Sequence, residues 1–172
     1  MAITATVVRM HRQTINKLEK GLDKLTPGRE VSLAKTAIQE SIMFAGLVLG
    51  DIGEESPYPK SDDKDSKVIE DRADVSFADY NFDATDYVGM VKELRNDIGN
   101  SLVNVKELYK NAVDTAVKPE SQLFFPSHLM MSITSLEKSR MWLGMALNDY
   151  KLRTEKAVDE SKEKKAIDRF KA

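Results

Sequence analysis

Apolar residues recur every three or four positions along most of this chain, the spacing that places them on one face of an α-helix. In a first stretch, about 4–25, the repeating positions are Val7, His11, Ile15, Leu18, Leu22 and Leu25. Thr26-Pro27-Gly28 then interrupts the pattern, with Thr26 placed to cap the next helix and Pro27 to take its first position. A second stretch, about 29–49, carries Val31, Ala34, Ile38, Ile42, Ala45 and Leu49 on one stripe. A third, about 84–116, is the longest regular stripe and is close to heptad: Val91, Leu94, Ile98, Leu102, Val105, Tyr109, Ala112 and Ala116. A fourth begins near Pro126-Ser127 and reaches at least Leu152, with Leu129, Ile133, Leu136, Leu143, Leu147 and Tyr150 on one face. Strand-like alternation is scarce, so the fold class expected is all-α.

Two stretches break the one-sided rule. Residues 42–49 and 141–147 are apolar on all sides, and such a helix needs cover all round. One antiparallel neighbour cannot provide it. The expected cover is further helices, from the same chain or from other copies. Trp142, within the second of these stretches, is expected to be buried.

Between the second and third stretches the composition shifts. From Asp51 to Asp86 there are twelve acidic and four basic residues, opened by Ser56-Pro57-Tyr58-Pro59, which reads as a solvated connector with one short helix near Lys67–Ala73. The organisation expected is a first helical hairpin (1–52), an acidic connector (53–83), a second helical hairpin (84–152) and a charged, fraying helical tail (153–172).

The two hairpins look alike. With an offset of 98, residues 32–51 lie over 130–149 with six identities: Thr36/Thr134, Ser41/Ser139, Met43/Met141, Gly46/Gly144, Leu49/Leu147 and Asp51/Asp149. Together with the shared Pro-containing break and apolar ending, this predicts an internal duplication.

Composition narrows the chemistry. In 172 residues, 26 Lys+Arg against 28 Asp+Glu give a net charge of −2, which argues against a coat for long DNA or RNA. The absence of Cys removes disulfides, thiolate metal sites and cysteine nucleophiles. His11 and His128 are too few for a His-rich metal centre. Asp62-Asp63-Lys64-Asp65 imitates a calcium loop, but Lys67 takes a ligand place and the turn Gly is missing. No Walker loop, GxGxxG, GxSxG or HExxH occurs. Neither a metal, a cofactor nor a catalytic residue is expected, and enzymatic chemistry would rest on carboxylates alone. No apolar run approaches a membrane span and no signal peptide is evident, so a cytoplasmic protein without membrane partners is expected.

One locus suits an anion. At Pro27-Gly28-Arg29 the free N–H groups and dipole of a helix start meet a forked cation, and Lys35, Thr36 and Gln39 follow on the polar face beside Met43 and Phe44. Phosphate donors followed by apolar groups suit a nucleotide. A solvated helix start with an ordinary cap is the alternative.

Pro27 to Ala45 resembles the signature helix of phage anti-CBASS and anti-Thoeris nucleotide sponges, which opens with an Arg-containing turn and continues Ser/Ala-Leu/Ile-Ala-Lys-Thr-x-Leu/Ile-Gln/Glu to a Met with an aromatic or Ala. Ser132 to Gly144 is similar to the Thr-x-Leu-Glu-x-x-x-Met-Trp variant of the same helix. The resemblance implies helical hairpins assembled as oligomers. It implies a host immune signal, a cyclic nucleotide or cyclic ADP-ribose-type ligand, held between subunits without cleavage. Carried over by position, the ligand-binding residues would be Arg29, Lys35, Thr36, Gln39 and Met43 in copy one and Thr134, Glu137 and Lys138 in copy two. Copy two departs from the pattern, with Ile133 for Lys35, Glu137 for Gln39 and Ser127 for Arg29. Two fused hairpins per chain imply a smaller homo-oligomer, a dimer or trimer of duplicated chains, in the cytoplasm of an infected bacterium. The competing expectations are a helical structural or interaction protein that binds a host or phage protein, and an enzyme acting on nucleotides.

Overall fold

The computed structural model describes residues 3–54, 86–116 and 126–171, apart from the side chains of 115–116 and 166–171. It is all-helical, with four helices and no strand among the described residues: α1 (Ala5–Leu22), α2 (Arg29–Asp51), α3 (Tyr87–Ala116) and α4 (Ser127–Lys171). The short helix expected near 67–73, the calcium-like run at 62–65 and most of the acidic connector lie outside the described residues.

Each helix forms for a local reason and is then held by its apolar stripe. Thr4 caps α1, its Oγ1 accepting from the Val7 N–H. The α1 chain ends in a tight turn, with Lys24 N–H donating to Gly21 O and Leu25 N–H to Leu22 O, and this sets Leu25 into the core. The turn runs through residue 25, and α2 starts at Arg29, where the second stretch begins, rather than at Pro27. Its N-cap is Gly28 in extended backbone, with no side-chain cap, and Thr26 and Pro27 stay outside the helix.

The helices pack as a ring in which α1 meets α2, α2 meets α4, α4 meets α3 and α3 meets α1. Every neighbouring pair is antiparallel. Lys35 reaches Asp23 and Gln39 reaches Glu19 between α2 and α1; Ser41 meets Ser132 and Asp51 meets His128 between α2 and α4. Lys106 meets Glu137 and Tyr87 meets Tyr150 between α3 and α4. The diagonal helices α2 and α3 therefore run parallel, and the link between them joins opposite ends of the bundle. This is a four-helix bundle with one crossover connection.

The core is the set the stripes name: Ile15, Leu18 and Leu22 from α1, Ile38 and Leu49 from α2, Leu94 and Ile98 from α3, and Leu129, Leu136 and Leu143 from α4, all fully buried. On α1, Val8 rather than Val7 takes the innermost place. The largest interface, α2 on α4, contains a polar knot. Ser41 and Ser132 hydroxyls lie 2.7 Å apart, and each also has the other's carbonyl within hydrogen-bond distance, so their two protons are shared among three acceptor positions.

The all-round apolar stretches are covered on three sides only. Ile42, Ala45, Val48 and Leu143 are buried, whereas Met43, Leu47, Met141 and Met145 on the outer side stay between 38% and 51% exposed. Trp142 is half-buried against the core rather than fully enclosed.

The expected fraying tail is instead the continuation of α4. At 45 residues this helix is about 68 Å long, and from Lys151 to Lys165 every side chain is exposed. No Gly or Pro occurs from Lys151 onward, and pairs such as Arg153–Asp149 at 3.1 Å and Lys162–Asp159 at 3.4 Å bridge successive turns.

Candidate functional site

At the end of the bundle where α2 and α3 begin, α4 runs past both, and a cleft of about 320 Å³ opens between the three. The interhelical turn supplies Thr26, Pro27 and Gly28. Val31 and Ala146, a small residue on α4, carry the apolar surface.

Two aromatic rings line the cleft. Tyr87, the first residue of α3, and Tyr150 of α4 have centroids 4.7 Å apart and planes inclined by 30°. Burial and, after it, the carboxylate of Glu30 push the Tyr87 phenol above its usual range, so it remains a protonated donor at neutral pH. Tyr150 is 38% exposed, leaving much of its surface to a ligand.

The charged groups have distinct states. Asp149 accepts an ion pair from Arg153 one turn along α4. Glu30, on the first turn of α2, has no ion pair or hydrogen bond among the described residues. The first backbone hydrogen bond of α2 runs from Ser32 N–H to Gly28 O at 2.9 Å. The N–H groups of Arg29, Glu30 and Val31 thus have no acceptor inside the helix, and no side chain caps them. The cleft combines amide donors, one guanidinium, a free carboxylate and an aromatic pair.

Of the residues singled out from the sequence, only the turn around Gly28 belongs to this cleft. Arg29 lies on its outer side, exposed and flanked by the two lining residues Gly28 and Glu30. Lys35 and Gln39 point the other way, along the seam with α1. Lys35 pairs with Asp23, whose hydrogen bond raises the Lys35 pKa, and Gln39 donates to Glu19 Oε1 at 2.7 Å. Thr36 and Thr134 turn their hydroxyls back onto their own helices, to Ser32 O and Met130 O. Glu137 is paired with Lys106 at 2.7 Å, Lys138 is exposed, and Met43 lies on the outer apolar surface. The set is therefore not gathered into one pocket; its members spread over the outside of the α2·α4 pair and the α1 seam.

The lining residues that the sequence reading missed are Glu30, Val31, Tyr87, Ala146, Asp149, Tyr150 and Arg153. Val31 and Tyr150 had been placed on core stripes and Arg153 in the tail. Asp149 is the offset-98 match of Asp51, a second sequence signal at this end beside the Pro27-Gly28 turn.

Two further polar groups are structural. His11 is 6% exposed, its Nε2 has no hydrogen-bond partner, and burial lowers its pKa to about 4. His128 pairs with Asp51 at the opposite end of the α2·α4 interface, both half-buried. Among the described residues, no group of three or more His, Asp and Glu side chains converges as a metal site would, and no helix is long and apolar enough to cross a membrane.

Compared with protein-family models, curated proteins and solved structures, the chain matches none.

Proposed function

We propose that this protein is a non-catalytic nucleotide sponge, which captures a host cyclic-nucleotide or cyclic ADP-ribose-type immune signal and holds it uncleaved. In this reading it is a phage anti-defence protein working in the cytoplasm of the infected bacterium. The observation that carries the reading is the cleft at Gly28. It offers uncapped amide donors and Arg153 to a phosphate, and the Tyr87–Tyr150 pair to a flat base. A ring with two phosphates and two bases needs such local donors and aromatic surface, not a basic protein.

The same reading takes the chain as two tandem hairpins, α1–α2 and α3–α4, joined back to back through α2 and α4. The offset of 98 supports it, because Asp51/Asp149 fall at the two ends of that interface. It also takes the outer apolar side chains Met43, Leu47, Met130, Met131, Met141 and Met145 as the surface through which chains form a homo-oligomer. The two ends differ in a way that bears on stoichiometry. Where the cleft has Glu30 and Tyr150, the repeat-equivalent positions are His128, which closes onto Asp51, and Ile52. One ligand per chain follows.

The test is calorimetric titration of the full chain with cyclic di- and trinucleotides and cyclic ADP-ribose isomers. Chromatography of the ligand released by denaturation follows. Tight binding at one ligand per chain with intact ligand recovered is the expected result. Linearised or hydrolysed ligand would make the protein an enzyme, and the absence of binding across the panel would remove the proposal. A second reading, a helical protein that binds a host or phage protein, is favoured by one observation. The exposed part of α4 beyond Lys151 carries Leu152 and Val158 uncovered. Co-purification of a stoichiometric protein partner without any nucleotide response would select it.

A further inference from the structure

We infer that the cleft selects guanine over the other bases, with the Glu30 carboxylate as the discriminating group. This rests on the reading of the cleft as a nucleotide site and adds which base it takes.

Base selectivity falls to the groups in the cleft that remain unsatisfied. Asp149 is already engaged by Arg153 at 3.1 Å, so its charge is spoken for. Glu30 is not engaged by any described residue, yet it lies on the cleft wall and is close enough to Tyr87 to raise the phenol's pKa. An ionised carboxylate only accepts hydrogen bonds, through two oxygens side by side. A base stacked against the tyrosine rings will present one of its edges to that wall, and the edges differ in kind.

Guanine offers two parallel donors, N1–H and N2–H₂, which match the two carboxylate oxygens. Adenine offers one donor, N6–H₂, beside the N1 lone pair, which would face a negative oxygen. Cytosine has the same conflict between N4–H₂ and N3. Uracil has a single N3–H between two carbonyls, both repelled by the carboxylate. Guanine alone satisfies both oxygens without bringing an acceptor against them. A site built around a hydrogen bond to a ligand donor rejects an analogue lacking it more strongly than an apolar pocket rejects a change of size. The uncapped amides of residues 29–31 and Arg153, whose guanidinium keeps further N–H donors beyond the one on Asp149, serve the phosphate that every nucleotide shares, so they do not discriminate.

The experiment compares three probes by calorimetry on the full chain and on Glu30→Gln: cyclic di-GMP, cyclic di-AMP, and cyclic di-IMP, which keeps N1–H but lacks the N2 amine. Gln replaces one acceptor oxygen with a donor and keeps the shape. In the parent, cyclic di-GMP is expected to bind at least about tenfold tighter than cyclic di-AMP, with cyclic di-IMP between them. Glu30→Gln should weaken cyclic di-GMP by at least about tenfold and tighten cyclic di-AMP, because the amide donates to adenine N1 while its oxygen accepts from N6–H₂. Equal binding of the three probes by the parent overturns the inference and leaves the sponge reading standing, as does a Glu30→Gln variant that weakens all three alike. Failure of all three probes while a cyclic ADP-ribose isomer binds has the same meaning. Failure of every ligand removes both.

Discussion

Ser139 is fully buried in the α2·α4 interface and its hydroxyl has no hydrogen-bond partner. Two helical turns away, the equivalent place is satisfied: Ser41 and Ser132 exchange hydrogen bonds, hydroxyl to hydroxyl at 2.7 Å. Stepping seven residues back along α2 and seven forward along antiparallel α4 leads from Ser41/Ser132 to Ala34/Ser139. The repeat offset makes the same assignment, since Ser41 corresponds to Ser139 and Ala34 to Ser132. The knot is thus complete at one level of the interface and half-made at the other. Ala34→Ser should restore it. A buried hydroxyl without a partner costs on the order of 1–3 kcal/mol, and a formed hydrogen bond contributes a net ~0.5–1.5 kcal/mol. Ala34 is fully buried, and the added oxygen must fit where the Ser41 pair already fits. The expected gain in unfolding free energy is ~1 kcal/mol, read from urea denaturation followed by circular dichroism. Ser41→Ala, which removes the hydroxyl pair but leaves Ser132 the carbonyl of residue 41 as acceptor, should cost ~0.5–1.5 kcal/mol in the same assay. The decisive quantity is the coupling between Ala34→Ser and Ser139→Ala in a double-mutant cycle. If Ala34→Ser destabilises the chain equally with and without the Ser139 hydroxyl, the two positions do not face each other and the register argument is wrong.

Two other outcomes test the burial of His11 and the aromatic wall of the cleft. Burial holds the His11 pKa at about 4, below its usual 6.5. Its neutral form is therefore fully stabilising above pH 6.5, and up to about 3 kcal/mol is lost as pH falls towards 4 and the unfolded state takes up the proton. His11→Leu should flatten that part of the stability-versus-pH curve; equal slopes for parent and variant would place the acid sensitivity elsewhere. Tyr150→Ala should weaken ligand binding by at least about tenfold, a stacking contribution, while the helical circular dichroism signal and melting cooperativity persist; unchanged affinity would move the ligand out of the cleft.

Much of the bundle was legible because its signals are local. Helix starts and stops followed from the Pro27-Gly28 break and the run of stripe residues, and nearly all stripe positions are core positions. The cap of α2 lies at Gly28 rather than Thr26 because the end of α1 draws Leu25 into the core, a demand made by packing, and α4 runs on past Leu152 to Lys171. The candidate site was far less legible. Lys35, Thr36 and Gln39 share a helix face in any reading of the sequence. Whether that face meets a ligand, a neighbouring helix or solvent depends on which side α1 occupies, and Asp23 and Glu19 already hold two of the three.

By itself, the order of apolar and polar residues determined four helices and the stripe each would bury, because periodicity and capping act over a few residues. Tertiary structure decided the rest. The crossover between α2 and α3 brings the start of α3 beside the start of α2, and α4 passes both. Only that arrangement puts Tyr87, Tyr150, Glu30 and Arg153 around one cleft. Groups so far apart along the chain are brought together by helix packing, which depends on burying all four stripes at once and on no single segment.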